Sequence, residues 1–140
     1  MTLALIPLGT LSFRTPSTLR LTPVPSNTRV IVEFAEVRFE GERLRATQRG
    51  PAADWLTVGP EGTATLDIRL TLETHDGALL YVEALGRTNA AKFAKDGGPM
   101  FLTPRFETAD ARYAWLNEVQ AVAKGMAANG VTTFEVFALR

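Results

Sequence analysis

Cysteine is absent from the sequence, and histidine occurs once, at His75. Those two shortages exclude a disulfide framework, a thiolate metal site, a cysteine nucleophile and any site that needs two histidines from one chain. A Ser-His-Asp triad would have to use His75, and no Gly-x-Ser-x-Gly elbow accompanies it. His75 precedes Asp76-Gly77, a strong hairpin signal, so an exposed turn position is expected for it. An excess of charge of one sign is also lacking, since 15 Lys and Arg balance 15 Asp and Glu. Without a basic surplus, nucleic acid is not an expected partner, because phosphate binding needs a basic face. No apolar run is long enough to span a membrane, and the apolar start, MTLALIPLGTLSF, has no basic leader. It reads as a strand, and a cytoplasmic location is the default expectation. No glycine-rich loop opens a helix as a phosphate-binding loop would, so neither a nucleotide cofactor nor a metal is expected.

What is present is period-two alternation of apolar and polar residues in short stretches, broken by Gly, Pro and Asp turns. Residues 3–13, 29–39, 54–58, 64–74, 79–85, 100–108, 113–124 and 131–139 read as strands. Residues 43–48 can pair with 29–39 across the turn at Gly41, and Gly50-Pro51 reads as a further turn. Residues 14–28 hold Pro16, Pro23 and Pro25 and read as a loop or a weakly paired edge. Residues 89–95 form the one helical segment, stopped by Gly97-Gly98-Pro99. The expected fold is all-β: a closed antiparallel barrel of about eight strands with one short helix, a single domain over residues 1–140. A barrel of that size can enclose one small ligand. A two-sheet sandwich is the alternative.

Residues two apart on a strand share a face. Leu66, Ile68, Leu70 and Leu72 lie on one side of their strand, and Asp67, Arg69, Thr71 and Glu73 on the other. Tyr81 shares a face with Glu83, Arg105 with Glu107, and Trp115 with Asn117. One reading fills the barrel with the apolar side and leaves the charges in water. The other turns the strands over, so that the polar side lines a cavity. Acids, Arg, Tyr, Trp and Asn together suit a binding cavity better than they suit a solvent face. The apolar side would then need cover, which makes a homo-oligomer, most simply a dimer, the expected assembly.

Three stretches carry a resemblance to a known family. GPAADW (50–55), PEGTATLDIRLTLETHDGALLYVEALG (60–86) and TPRFETADARYAWLNEV (103–119) are similar, in that order, to motifs of the domain of unknown function 3237. IPLGTLSF and TTFEVFAL fit the two ends more loosely. The sequence departs from the family at Leu70, where many relatives have Tyr, and at Glu118, where Arg is frequent. After Gly86 it is shorter than the common helical insertion, which implies a wider or differently lidded mouth. The resemblance implies a small antiparallel barrel related to those of allene oxide cyclase and dirigent proteins, which act on reactive small molecules without metals, mostly by confining them. The family motifs fall on Asp54, Trp55, Asp67, Arg69, Tyr81, Arg105, Glu107, Trp115 and Asn117. Several of these are the polar faces found by alternation, which favours the inward-polar reading.

With no metal set, cysteine or nucleotide loop, the available reagents are carboxylate, Tyr and Arg. Asp54 is the first candidate for a desolvated carboxyl that moves a proton, and Glu107 the second. Arg69 and Arg105 are expected to steady negative charge on a substrate oxygen. Tyr81 and Asn117 are expected to donate to a carbonyl, Asp67 to line the same cavity, and Trp55 and Trp115 to wall a ring. A structural network pairing Asp67 and Glu107 with Arg69 and Arg105 is the competing reading of the same charges. The expected function is a cofactor-independent lyase, isomerase or cyclase moving a proton on an apolar or aromatic carbonyl or hydroxyl compound, in secondary metabolism or aromatic catabolism. A non-catalytic small-molecule carrier is the main alternative, and a structural protein with a filled core the third.

Overall fold

A computed structural model describes residues 1–25 and 27–140. The alternating segments become eight antiparallel strands in chain order: β1 (Leu5–Val24), β2 (Asn27–Glu40), β3 (Arg45–Val58), β4 (Thr63–Thr74), β5 (Leu79–Asn89), β6 (Met100–Glu107), β7 (Ala121–Ala128) and β8 (Val131–Leu139). Each pairs with its sequence neighbours, and β8 closes on β1, giving the expected closed barrel. Two-residue turns drive this simple order. Between β7 and β8, Asn129 and Gly130 both take the left-handed conformation, with φ of 55° and 76°, that such a hairpin requires. One short helix, α1 (Ala90–Asp96), follows β5. No helix among the described residues is long and apolar enough to cross a membrane.

Three local expectations are sharpened or corrected. Residues 14–28, expected as a loop or a weakly paired edge, hold an edge rather than a loop: past Arg14 the described residues of β1 have no β8 partner and pair with β2 alone, as a ribbon that runs as far as Val24↔Asn27. Register shifts between Arg14 and Ser17 and between Leu21 and Val24 absorb Pro16 and Pro23, which have no N–H to give the ladder. Gly50-Pro51 is likewise a shift inside β3, between Gln48 and Ala52, rather than a turn. Residues 113–124 are not one strand. Asp110 caps a 3₁₀ segment, Ala111–Glu118, by accepting the Arg112 N–H at 2.9 Å, and β7 begins after it. Tyr113 and Leu116, three apart, are its buried residues, as a three-residue turn demands.

The inward-polar reading is also overturned. Leu66, Ile68, Leu70 and Leu72 point into the barrel with 0–2 % exposure, while Arg69 faces outward. The physical reason is the cost of enclosing charges without full pairing, set against the gain from burying four large apolar side chains on one strand. With that face inside, the outward apolar patch that motivated a dimer is gone. One end of the barrel is solid: Phe39, Leu44, Leu70, Leu72, Leu80, Phe106 and Leu116 of the 3₁₀ segment are buried members of the apolar core, with 0–4 % exposure.

That segment is tied down by charge. The Tyr113 hydroxyl donates to Asp76 Oδ1 at 2.8 Å, Arg112 Nη1 lies 3.2 Å from Asp76 Oδ2, and Arg112 Nη2 lies 2.8 Å from Asp110 Oδ2. The Thr74 and Tyr113 hydroxyls hold the Asp76 carboxyl below its ordinary range, and Arg112 pulls Asp110 down to about 2. Both acids titrate lower in the folded chain than in the unfolded one. Their contribution is therefore present above the ordinary value of 3.8 and lost as pH falls through the folded value, toward 2 for Asp110. Hydrogen-exchange protection of residues 111–119 is expected to fall, relative to the strands, between about pH 4 and pH 2. Unchanged relative protection at the lower pH would show that these contacts do not hold the segment.

Candidate functional site

The other end of the barrel is not filled. A cavity of about 330 Å³ opens between the β1–β2 ribbon and α1. The helix lies across this end because both its flanks are anchored: the Ala90 N–H donates to Gly62 O at 2.8 Å, and the Ala127 N–H to Gly97 O at 2.7 Å. Asn89 caps its start through the Lys92 N–H, and Gly97, at φ 80°, ends it. None of the helix's own residues is buried, so it covers the opening without joining the core. The walls are apolar, with Phe13, Phe34, Leu66, Ile68, Met100 and Phe134, and are interrupted by the threonines Thr15, Thr18, Thr88 and Thr132. Two charged residues line it, Asp54 and Arg20.

Asp54 is 5 % exposed. On β3 it shares its inward parity with Ala52, Leu56 and Val58, and it lies in a row with Val32 on β2 and Ile68 on β4. The β3–β4 register runs to Asp54↔Ile68 and resumes at Thr57↔Thr65. In that gap the Asp67 N–H donates to Asp54 Oδ1 at 2.9 Å, and Arg29 Nη1 donates to the Trp55 carbonyl at 2.7 Å. No other hydrogen bond to the Asp54 carboxyl is made among the described residues. Burial pushes this carboxyl up, the Asp67 N–H bond pulls it partly back, and the nearby Asp67 charge pushes it up again, to about 7. Asp67 is itself imperfectly neutralised. Arg69 Nε is 3.5 Å from its Oδ1, close enough for an ion pair but without hydrogen-bond geometry, and that oxygen is buried with no hydrogen-bond partner.

The other residues expected at the site lie outside the cavity. Alternation grouped several of them correctly but placed them on the wrong side of the wall. Arg69 sits opposite Glu83, and Glu83 opposite Arg105, in one row across the outer face of β4, β5 and β6. Tyr81 sits opposite Glu107 in the next row and donates its hydroxyl to Glu83 Oε2 at 3.0 Å. Asp67 belongs to that outer face too. Trp55 follows Asp54 on the strand and therefore points the other way. Trp115 lies at the solid end, with the Arg43 guanidinium 3.8 Å over its ring. Asn117 clasps Thr108 there, accepting its N–H at 2.9 Å and donating to its carbonyl at 3.0 Å. His75 is exposed in its turn, as expected. Of the expected site residues, Asp54 alone faces the cavity. Arg20 and the threonines of β1 were missed because the prolines around them disguised a strand. The signal was there: Thr18 and Arg20 alternate with Leu19 and Leu21.

The fold recurs in known proteins. The family model described as "Protein of unknown function (DUF3237)" matches residues 3–139. A UPF0311 protein of Bradyrhizobium diazoefficiens is 36% identical over 77 residues, 47% of this chain and 51% of that protein, so the match spans about half of that curated relative. Among solved structures, a β-barrel-like protein of Acinetobacter baumannii superposes with a TM-score of 0.88 at 27% identity, covering 100% of this chain and 98% of that one. A conserved protein of unknown function from Rhodopseudomonas palustris gives 0.91 at 22% identity, with 100% and 99% covered. An enzyme from Penicillium herquei gives 0.77 at 19% identity, with 99% and 94% covered. At those last two identities the likeness is one of fold.

Proposed function

We propose, for a chain that belongs to the DUF3237 family of proteins of unknown function, a cofactor-independent proton transfer by Asp54 on a small apolar or aromatic carbonyl or hydroxyl compound. The observation that carries the reading is a carboxyl 5 % exposed, its pKa pushed up by burial to about 7, in the wall of a largely apolar cavity of ligand size. A buried carboxyl with no cation beside it stays protonated rather than carry a lone charge in apolar walls. One whose pKa matches the working pH is what acid–base catalysis uses. Family membership assigns no activity, and the shared fold shows only that such a barrel accommodates catalysis in the Penicillium herquei enzyme.

In the proposed step, the Asp54 carboxylate takes a proton from carbon beside a carbonyl, leaving an enolate. The same carboxyl then returns the proton to carbon or to oxygen. Return to a different carbon is an isomerisation; where the enolate electrons instead expel a β-oxygen leaving group or attack a second carbonyl of the same ligand, the proton goes to the departing oxygen or to the new alkoxide, giving elimination or ring closure. The buried Thr132 and the Thr15 of the cavity wall are the proposed hydroxyl donors to the enolate oxygen. One observation favours the carrier instead. Arg69 and Arg105, the cations expected at that oxygen, lie outside the wall. Exchange of the methyl protons of 2-acetylnaphthalene in D₂O separates the two readings without knowledge of the natural substrate. The enzyme reading expects exchange faster than in buffer, lost in Asp54→Asn. Binding of the ketone without accelerated exchange supports the carrier.

A further inference from the structure

We propose that Arg20 makes this cavity selective for a ligand with an anionic head on an apolar body, the head held at the mouth and the body reaching inward to Asp54. The proposal rests on the reading of the cavity as a ligand site and adds the ligand's charge and orientation. Strand register supplies the geometry. Thr18, Val32 and Asp54 lie in one row across β1, β2 and β3, and Arg20, Val30 and Leu56 lie in the next. Arg20 is thus one inward-facing step, about 7 Å along the strand, nearer the open end than the Asp54 row. Between them the wall is Val30, Val32 and Leu56, with Leu66 and Ile68 beyond.

Arg20 is the cavity's single Lys or Arg. It is exposed, and among the described residues its guanidinium has neither an ion pair nor a hydrogen bond, so it is free to meet a ligand at the mouth. A guanidinium offers a planar fork that matches a carboxylate in two hydrogen bonds. The deep end cannot take an anion. An ionised ligand group there would lie in apolar walls beside Asp54, paying for desolvation and for repulsion from a second acid. At the mouth the same group keeps part of its water and meets the cation. One polarity of binding follows, with the reactive, uncharged part of the ligand carried to Asp54. The plain alternative is an arginine that lays its stem along apolar surface and leaves its head in water.

Paired probes distinguish these. 2-Naphthoate and 2-naphthamide share one bicyclic body and differ in charge, and calorimetry at pH 6 measures both while the naphthoate is ionised. The native protein is expected to bind the naphthoate about tenfold more tightly, the worth of one charge-assisted hydrogen-bonded contact. In Arg20→Gln the preference should shrink to about twofold or less, with naphthoate affinity falling more than amide affinity and an unchanged urea midpoint showing that the variant is folded; Arg20→Lys should restore part of it. Equal binding of both probes by the native protein, or a preference that survives Arg20→Gln, overturns the proposal and leaves the cavity reading intact. Binding of neither probe by the native protein overturns the cavity reading as well.

Discussion

Asp54→Asn is expected to make the protein harder to unfold at pH 8, by about 2–4 kcal/mol, and to change little near pH 4. The carboxyl titrates at about 7 in the folded chain against 3.8 in its ordinary state. Between those values the folded protein holds a proton that the unfolded chain has released. Stability therefore falls as pH rises, by roughly 1.4 kcal/mol per unit, and levels off once the folded carboxyl has ionised. Asparagine removes the titration and keeps the amide oxygen that accepts the Asp67 N–H. Urea denaturation of both proteins at the two pH values measures the difference. A variant less stable than the native protein at pH 8 would mean that the carboxylate is stabilised by its surroundings. A stabilising substitution at the proposed reacting group is the expected trade of stability for function.

The same substitution is expected to slow proton transfer by about a hundred- to ten-thousand-fold. The amide has nearly the carboxyl's shape but cannot act as the base, so affinity for 2-acetylnaphthalene should stay within about threefold of native while exchange is lost. In the native protein the exchange rate should rise with pH and flatten above about 7, as Asp54 ionises. Loss of rate and binding together would indicate a collapsed cavity. Unimpaired exchange in the variant would move the base elsewhere. Glu107→Gln serves as the control, because Glu107 stands on the outer face of β6, outside the cavity wall.

Much of the barrel was legible because alternation marks strands and Asp-Gly and Asn-Gly mark hairpins. The limits were physical. Alternation shows that Leu66 and Ile68 share one face and Asp67 and Arg69 the other, but both faces of β4 are chemically coherent. Which one turns inward depends on the summed cost of burial over the closed sheet. The β3 parity was the better guide. Asp54 falls in the series Ala52, Leu56 and Val58, a single acid on an apolar face, a signal that the sequence reading left unused. The ribbon that carries Arg20 was hidden because proline argues against a strand unless a bulge receives it, and bulges leave no reliable mark in sequence. Tyr113, Trp115 and Asn117 alternate like a strand, yet the Asp110 cap and the three-residue spacing of Tyr113 and Leu116 favour a tight helical turn.

The proton on Asp54 is itself observable. Carbon-13 NMR of protein labelled at the aspartate carboxyls, with the Asp54 signal assigned by its absence from Asp54→Asn, follows the titration directly. A midpoint close to 7 is the expected result. A midpoint near the ordinary 3.8 would contradict a protonatable carboxyl held in an apolar cavity, and with it the proposed proton transfer.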